Sequence, residues 1–226
     1  MEKVLHNGID ILCEDAAFAA LFYGREDSII SALELYVEEI ERFNSVCGLV
    51  SYKTKNELII RHILDSLAPL GIIMRELQTA FPDLKEQAQI CDFGSGAGLP
   101  GIPLAITFGK TALFTLIERI PRRVNFLYNA LALLSLKNVN IFDSDAEKAD
   151  FQFNALCFRA VSELNKKFTR RFMRLLLPGG FIVAYKGLYQ NAAREAANFS
   201  GVNTKIISYK SPMLDEERAL LVLFNA

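Results

Sequence analysis

A chain of 226 residues, 51% of them apolar and with a formal net charge of −1, is long enough to bury one substantial core; it is neither a disordered tail nor a polybasic arm. Its first residues, Met1-Glu2-Lys3-Val4-Leu5-His6, lack a basic stretch ahead of an apolar one, and no apolar run approaches the ~20 residues of a membrane span, so a cytoplasmic protein without signal peptide or transmembrane helix is expected. The 4 cysteines show no C-x-x-C spacing and only 2 histidines are present, which argues against a metal site and leaves Cys91 and Cys157 as buried thiols of a reducing compartment.

Helical spacing opens the chain. A helix is predicted over 8–23, with Ile9, Leu12, Ala16, Ala19 and Ala20 on one side. A second is predicted over 27–43, with Asp27 or Ser28 as its cap and Ile30, Leu33, Tyr36, Val37 and Ile40 on its stripe. A third helical region, 56–79, puts Leu58, Ile59, His62, Ile63 and Leu67 on one stripe, with Pro69 and Gly71 expected to break it. Pro82 marks a loop. From residue 88 short apolar runs alternate with helical ones: strands near 88–93, 112–117, 138–142, 154–159 and 180–186, and helices near 100–109, 121–135 and 162–176. Such alternation means a parallel sheet with crossover helices. Asn203–Tyr209 and Ala219–Phe224, with no helix between them, add an antiparallel pair. The expectation is an α/β chain: a helical N-terminal extension at 1–85, then a Rossmann-like domain at 86–226 with a mixed seven-stranded sheet. Charge divides along the same line. The first 85 residues carry 8 Lys/Arg against 14 Asp/Glu, and the rest carry 17 against 12, so the second part suits a nucleic-acid partner despite the neutral total.

The chemistry gathers at Ile90-Cys91-Asp92-Phe93-Gly94-Ser95-Gly96-Ala97-Gly98-Leu99-Pro100-Gly101, a buried strand that ends in a turn with 4 glycines. Glycine lets the backbone adopt φ > 0 and come close to a ligand, and the amides of the turn and of the next helix then face that ligand. Gly96-x-Gly98-x-x-Gly101 satisfies the dinucleotide fingerprint, a weak match by itself. Asp92, two positions before Gly94, pulls the other way: a carboxylate there suits the cationic amino group of S-adenosylmethionine and would repel a pyrophosphate. Glu118 ends the next apolar run, where a strand's C-terminal carboxylate can bond ribose hydroxyls in either cofactor class. A parallel sheet that finishes in an antiparallel pair is likewise more usual for Rossmann-like methyltransferases than for nicotinamide-binding domains.

Further segments carry a specific resemblance. Gly94–Leu104 resembles the signature of the bacterial 16S ribosomal RNA guanine-N7 methyltransferases, the glucose-inhibited division protein B family. In the same order, His62-Ile63-Leu64-Asp65-Ser66 resembles that family's H-x-x-D-S stretch, and Arg122-Arg123-Val124-Asn125-Phe126-Leu127 its helix after the second strand. Ala146-Glu147, Arg159-Ala160-Val161, Leu177-Pro178-Gly179-Gly180 and Lys186-Gly187 are similar to its later strand ends, and the likeness spans roughly 36–190. The resemblance implies methyl transfer from S-adenosylmethionine to N7 of a guanine in 16S rRNA or the small ribosomal subunit, by a chain expected to be a monomer. It implies that Gly94 and Leu99 contact the cofactor from the turn, where Gly96 is a further cofactor-binding candidate because a Cβ there would enter the ligand's space, that Glu118 bonds the ribose, and that Ala146 and Glu147 lie along the adenine. Arg159, the one residue given a catalytic role, would sit near the methionine moiety and the incoming base. Guanine N7 has a free lone pair and no proton to lose, so no acid–base dyad is required. The chain departs from the family pattern at Phe158, where Ser is usual, at Asp145, where Arg is common, and at Gly48-Leu49-Val50, which replaces an N-L-T-like stretch.

The remaining candidates have plainer readings beside functional ones. Arg122 and Arg123, with Arg119, are RNA-contact candidates just past the cofactor strand, and Lys186 is another unless it merely ends its strand. Lys166, Lys167, Arg170, Arg171 and Arg174 form a basic helix face that is either solvated or phosphate-facing. His62 reads as a packed stripe residue, Asp65 and Ser66 as braces, and Phe126, Phe168 and Phe172 as core. Rival functions are a methyltransferase of another RNA or a small molecule, a cofactor binder without turnover, and a nicotinamide-dependent oxidoreductase.

Overall fold

The computed structural model describes residues 2–159, 171–199 and 201–225. Three helices open the chain: α1 (Glu2–Leu12), α2 (Ala16–Phe22) and α3 (Glu26–Cys47). The expected helix over 8–23 is therefore two, because the Asp15 carboxylate accepts from the amides of Ala17 and Phe18 and starts a new helix. α3 starts earlier than expected, at Glu26, with no side-chain cap from Asp27 or Ser28, and it stops at Gly48 in a left-handed conformation (φ 59°).

The third helical region runs as α4 (Lys55–Leu58), a π-helical stretch Ile59–Leu64, and α5 (Asp65–Leu67); after Pro69, α6 spans Leu70–Ala80. Pro69 breaks the helix as expected. Gly71 does not: it lies inside α6, where a Cβ would fall 2.4 Å from the Asp15 carboxylate, so its role is close packing.

The sheet has seven strands in the order β3-β2-β1-β4-β5-β7-β6. They are β1 (Ala88–Phe93), β2 (Ala112–Ile117), β3 (Val139–Phe142), β4 (Phe153–Arg159), β5 (Leu176–Lys186), β6 (Thr204–Tyr209) and β7 (Arg218–Phe224). β1 to β5 pair parallel, and β7 inserts antiparallel between β5 and β6. α7 (Gly101–Phe108) and α8 (Pro121–Leu134) are crossover helices where the sequence put them. α9 (Tyr189–Ala196), between β5 and β6, was not expected; it is short and mostly polar, with only Ala192 and Glu195 buried. β5 starts at Leu176 rather than near 180, running through Leu177-Pro178-Gly179-Gly180 with a register irregularity against β4. Most of the helix predicted over 162–176, with Lys166, Lys167, Phe168 and Arg170, lies outside the described residues.

Strand parity divides the core in two. Ile90, Ala155, Cys157, Val183 and Tyr185 face a cluster shared with α1 to α8, so the helical extension packs on the sheet through one continuous apolar core. Cys91, Leu156, Phe158, Ile182 and Ala184 face the other side, against Ala192 of α9, Phe172 and Phe199. Asp92 and Arg159 share the parity of the extension side, and Lys186 that of the opposite side. No helix among the described residues is long and apolar enough to cross a membrane.

Candidate active site

Beyond Phe93 the chain turns through Gly94 (φ 67°), Gly96 (φ 58°) and Gly98 (φ 86°) into α7. A Cβ on Gly98 would fall 2.4 Å from Ile102, and one on Gly101 would fall 2.6 Å from the Asp92 carboxylate, so those two glycines answer to their own neighbours. Gly96 differs. A Cβ there meets only the Gly94 carbonyl, at 3.7 Å, and otherwise faces open space. The extension braces this turn from behind, where the buried Tyr36 hydroxyl donates to the Ala97 carbonyl.

Asp92 lies beneath the turn, 1% exposed. Its Oδ2 accepts from the Gly101 amide at 3.0 Å and from the Ser95 hydroxyl, while Oδ1 is buried without a partner. Burial pushes its carboxyl up to about 7, against the opposing pull of those two hydrogen bonds. The carboxylate expected beside the cofactor's amino group thus has one oxygen committed to the turn, and it is not among the side chains lining the cleft above. Glu118, also buried, follows the end of β2. Its Oε2 accepts from the Gly96 amide at 2.9 Å, and Oε1 accepts from the amides of Arg119 (2.8 Å) and Ile120 (2.9 Å).

These groups edge a cleft with two arms. One, about 380 Å³, is lined by Ile117, Glu118, Ser144, Asp145, Ala146 and Arg171 among others. The second, about 310 Å³, lies between the turn (Ser95, Gly96, Ala97, Leu99) and the extension (Leu49, Val50, Ser51, His62). Gly94, Arg123 and Arg159 line both arms and mark their junction. The cleft lies beyond the carboxyl ends of β1, β2 and β4, where open α/β sheets hold their ligands.

Arg159 ends β4 and is held on several sides. Its guanidinium donates to the backbone carbonyls of Arg61 and His62 (the latter at 3.2 Å) and to Ser66 Oγ at 3.4 Å, and it pairs with Asp65 at 3.3 Å. Both carbonyls belong to the π-helical stretch, a distortion often found at functional sites. The His62 ring nitrogen lies 3.0 Å from the Ser51 carbonyl, and burial, then Arg159, lowers the imidazole's pKa below its ordinary value, so the ring is neutral at pH 7.

Ala146 is buried and lines the first arm, within the 3₁₀ turn Ala146–Lys148 capped by Asp145; the Glu147 side chain is 67% exposed and turns to Arg171 at 3.3 Å. Asp145, the charge-reversed position, is bonded by Arg171 and faces Arg119 at 3.9 Å, so its charge is met locally. Arg171 and Arg174, expected on a basic helix face, are committed here, Arg174 donating to the carbonyls of Ala146 and Glu147.

The RNA candidates separate. Arg122 is exposed on the first turn of α8. Arg123 turns inward to the cleft junction, its Nη2 3.4 Å from the Gly48 carbonyl, its Nη1 3.9 Å from Glu118, and its Nε buried without a partner. Lys186 does not reach the solvent surface expected of a phosphate contact: on the far face of the sheet it pairs with Glu195 of α9 at 2.7 Å, both side chains 10% exposed. Strand parity is the reason, because Lys186 follows Tyr185, which faces the extension. Tyr36 on the turn and Arg123 in the cleft were not legible as such, since each depends on packing between distant segments. Among the described residues no group of three or more His, Cys, Asp or Glu side chains is placed to hold a metal ion.

The family model for rRNA small subunit methyltransferase G (GidB) matches residues 29–221. The chain belongs to this family. The match takes in the turn, both arms of the cleft and β6, and ends within β7. Relatives named ribosomal RNA small subunit methyltransferase G include one from Treponema pallidum, 35% identical over 200 residues, covering 87% of this chain and 85% of its own length. Another, from Xanthomonas oryzae pv. oryzae, is 31% identical over 228 residues, covering 100% of this chain and 96% of its own. Among solved structures, a SAM-dependent methyltransferase from Aquifex aeolicus superposes with a TM-score of 0.54 at 16% identity, covering 71% of this chain and 92% of that one. Aeropyrum pernix fibrillarin with natively bound S-adenosyl-L-methionine gives 0.50 at 15%, covering 67% and 74%. The fold is that of the Rossmann-like S-adenosylmethionine-dependent methyltransferases.

The residues present fit that cofactor. The open space at Gly96 admits a ligand against the backbone, Glu118 supplies a carboxylate within the cleft wall, and Arg123 Nε is a buried donor without a partner at the junction.

Proposed function

We propose that this protein transfers a methyl group from S-adenosylmethionine to N7 of a guanine in 16S rRNA, acting as a cytoplasmic monomer. The observation that carries the reading is the family match over residues 29–221, which contains the glycine turn, Glu118 and both cleft arms. Gly94, Gly96 and Leu99 would hold the cofactor through the backbone of the turn, Glu118 would accept from the ribose, and Ala146 with the backbone of Glu147 would lie along the adenine. Asp92 would set the charge beneath the turn. When bound, S-adenosylmethionine supplies an electrophilic methyl group on a sulfonium.

The chain's own residues then have a modest task. Guanine N7 arrives with its lone pair free, so no side chain has to take a proton; neutral His62, anchored at the Ser51 carbonyl, fits a wall residue better than a base. Arg159 is fixed by carbonyls and a carboxylate, so it orients what enters the junction at little entropic cost. Ala97, Leu99, Leu49 and Val50 narrow the second arm with apolar surface, which excludes water from the reacting atoms. Exposed Arg119, which lines the first arm, and exposed Arg122, on the first turn of α8, would be the RNA-facing cations, while Arg123 belongs to the cleft and Lys186 to the fold.

The test is methyl transfer from labelled S-adenosylmethionine to unmethylated 16S rRNA and to small subunits, set against a small-molecule panel, with the modified base mapped by chain cleavage at N7-methylguanine. Label at one guanine N7 is expected. Label only on a small molecule or on another RNA would replace the proposed acceptor. Cofactor binding with no transfer to any acceptor would make the protein a binder without turnover.

A further inference from the structure

The side chain that fixes Arg159 is itself shared. Asp65, 4% exposed, lies 3.3 Å from Arg159 and 3.1 Å from Nε of Arg218, the first residue of β7. Arg218 reaches on to Glu216 at 3.3 Å, and Glu216 takes the two-pronged grip of Arg61 at 2.9 and 3.0 Å. The carbonyl of Arg61 accepts in turn from Arg159. The contacts therefore close a ring, Arg159–Asp65–Arg218–Glu216–Arg61–Arg159, built from β4, the π-helical stretch with the residue after it, the loop between β6 and β7, and the first residue of β7. Its outer members are the more exposed, the Arg61 and Glu216 side chains at 41% and 46%, whereas Arg159 and Arg218 are mostly covered and Asp65 is buried.

Charge decides what the ring does. Arg159, Asp65 and Arg218 together carry one net positive charge, and Arg159 is the member that lines the cleft. With Arg218 present, the Asp65 carboxylate is divided between two cations, and Arg159 keeps net positive field at the junction of the arms. Without Arg218, Asp65 has only Arg159 to neutralise, and the field toward the junction falls. The nearby cation Arg123 does not substitute for it, because Arg123 leans on Glu118. An anionic group at the junction is therefore stabilised through Arg218, a residue that is not among the cleft-lining side chains. The nucleoside contacts proposed above occupy the first arm, so the anion that reaches the junction is the carboxylate of the cofactor's methionine moiety.

We propose that Arg218, through the carboxylate it shares with Arg159, is a positioning residue for binding of the cofactor's carboxylate at the junction of the two arms, with Glu216 holding Arg218 from the loop between β6 and β7. The inference rests on the proposed use of S-adenosylmethionine and adds to it a contact 59 residues along the chain from Arg159.

Calorimetric titration of the full chain separates the outcomes. The probes are S-adenosylhomocysteine, which carries the carboxylate, and 5′-methylthioadenosine, which keeps the adenine and ribose but lacks the amino-acid moiety. Arg218→Gln should weaken S-adenosylhomocysteine about tenfold, the scale of one partly screened charge several ångströms away, and leave methylthioadenosine within twofold. Arg218→Lys should recover most of the loss, and Glu216→Gln should cost less than Arg218→Gln. Unchanged methylthioadenosine binding shows that the variant is folded around the first arm. Equal loss of both probes would make Arg218 a structural residue and overturn the proposal, as would unchanged S-adenosylhomocysteine affinity in Arg218→Gln. Failure of the unaltered protein to bind S-adenosylhomocysteine would instead remove the proposed function itself and this inference with it.

Discussion

Two hollows of similar size lie at opposite ends of β1, and only one has the makings of a site. The hollow at the N-terminal end, about 420 Å³, is lined by Met74, Leu77, Gln78, Phe81, Leu84 and Phe108 with Lys85, Glu86 and Lys110. The arms at the C-terminal end are smaller, about 380 and 310 Å³. What distinguishes them is how charge is held. At the C-terminal end Glu118 is buried and fixed by three backbone amides, and Arg159 by two backbone carbonyls and a buried carboxylate. Oriented, desolvated charge of this kind binds selectively, because its hydrogen-bonding geometry is set before the ligand arrives. Volume does not tell the two ends apart; the way charge is held does.

The comparison breaks first at Gly96. Gly96→Val places a branched side chain at φ 58° in the open space of the cleft, so S-adenosylhomocysteine binding should fall more than a hundredfold, with a stability loss of about 1–3 kcal/mol from backbone strain. Normal affinity in a titration would mean that the ligand lies elsewhere. Next is Glu118→Gln, which keeps the shape but gives up the carboxylate; affinity should drop about tenfold, as for one lost charge-assisted hydrogen bond. An unchanged Kd would show that cofactor binding needs the Glu118 carboxylate neither on the ribose nor on the Gly96 amide.

A smaller effect, read as a slope, belongs to Asp92. Its folded pKa of about 7 lies above the ordinary 3.8, so the native state holds a proton that the unfolded chain releases between those values. The stability it contributes is full below about pH 4 and is lost as pH rises through 7. Asp92→Asn removes this titration, so the wild-type Tm should lose ground against the variant between about pH 4 and 7 and run parallel to it above; parallel curves across that window as well would show that Asp92 is ionised throughout. The smallest effect is expected at the other hollow. Gln78→Trp should fill part of it and leave S-adenosylhomocysteine affinity within twofold, and a large loss would erase the distinction between the two ends.

Which parts were legible follows from the range over which each was determined. β1, β2, α7 and α8 lie within a residue or two of their expected bounds, because an apolar run bounded by glycine or proline is local information. The turn and Glu118 were found for the same reason. α9 was missed because Asn191, Ala192, Ala193 and Arg194 offer almost no apolar stripe. The two-helix start differs from the single helix expected because Asp15 caps a new helix, a signal the sequence does carry as an Asp ahead of an alanine-rich run. Lys186 could have been placed by parity: apolar Phe181, Val183 and Tyr185 share one face of the strand, so Lys186 joins Ile182 and Ala184 on the other. Asp65 was readable as a brace, but not its partner. Arg218 lies 153 residues away, and although it is the one cation after Asp215-Glu216-Glu217, its reach past those neighbours to Asp65 depends on the fold. Tyr36 on the Ala97 carbonyl is likewise a contact across 61 residues that only packing of the extension on the turn creates.

The most direct test of the central claim is calorimetric titration of the full chain with S-adenosylhomocysteine, repeated with Gly96→Val and with NADH as the control ligand. The account predicts one site per chain for S-adenosylhomocysteine, none for NADH, and loss of binding in Gly96→Val. Binding of NADH through the same glycines, or S-adenosylhomocysteine binding that survives Gly96→Val, would contradict it.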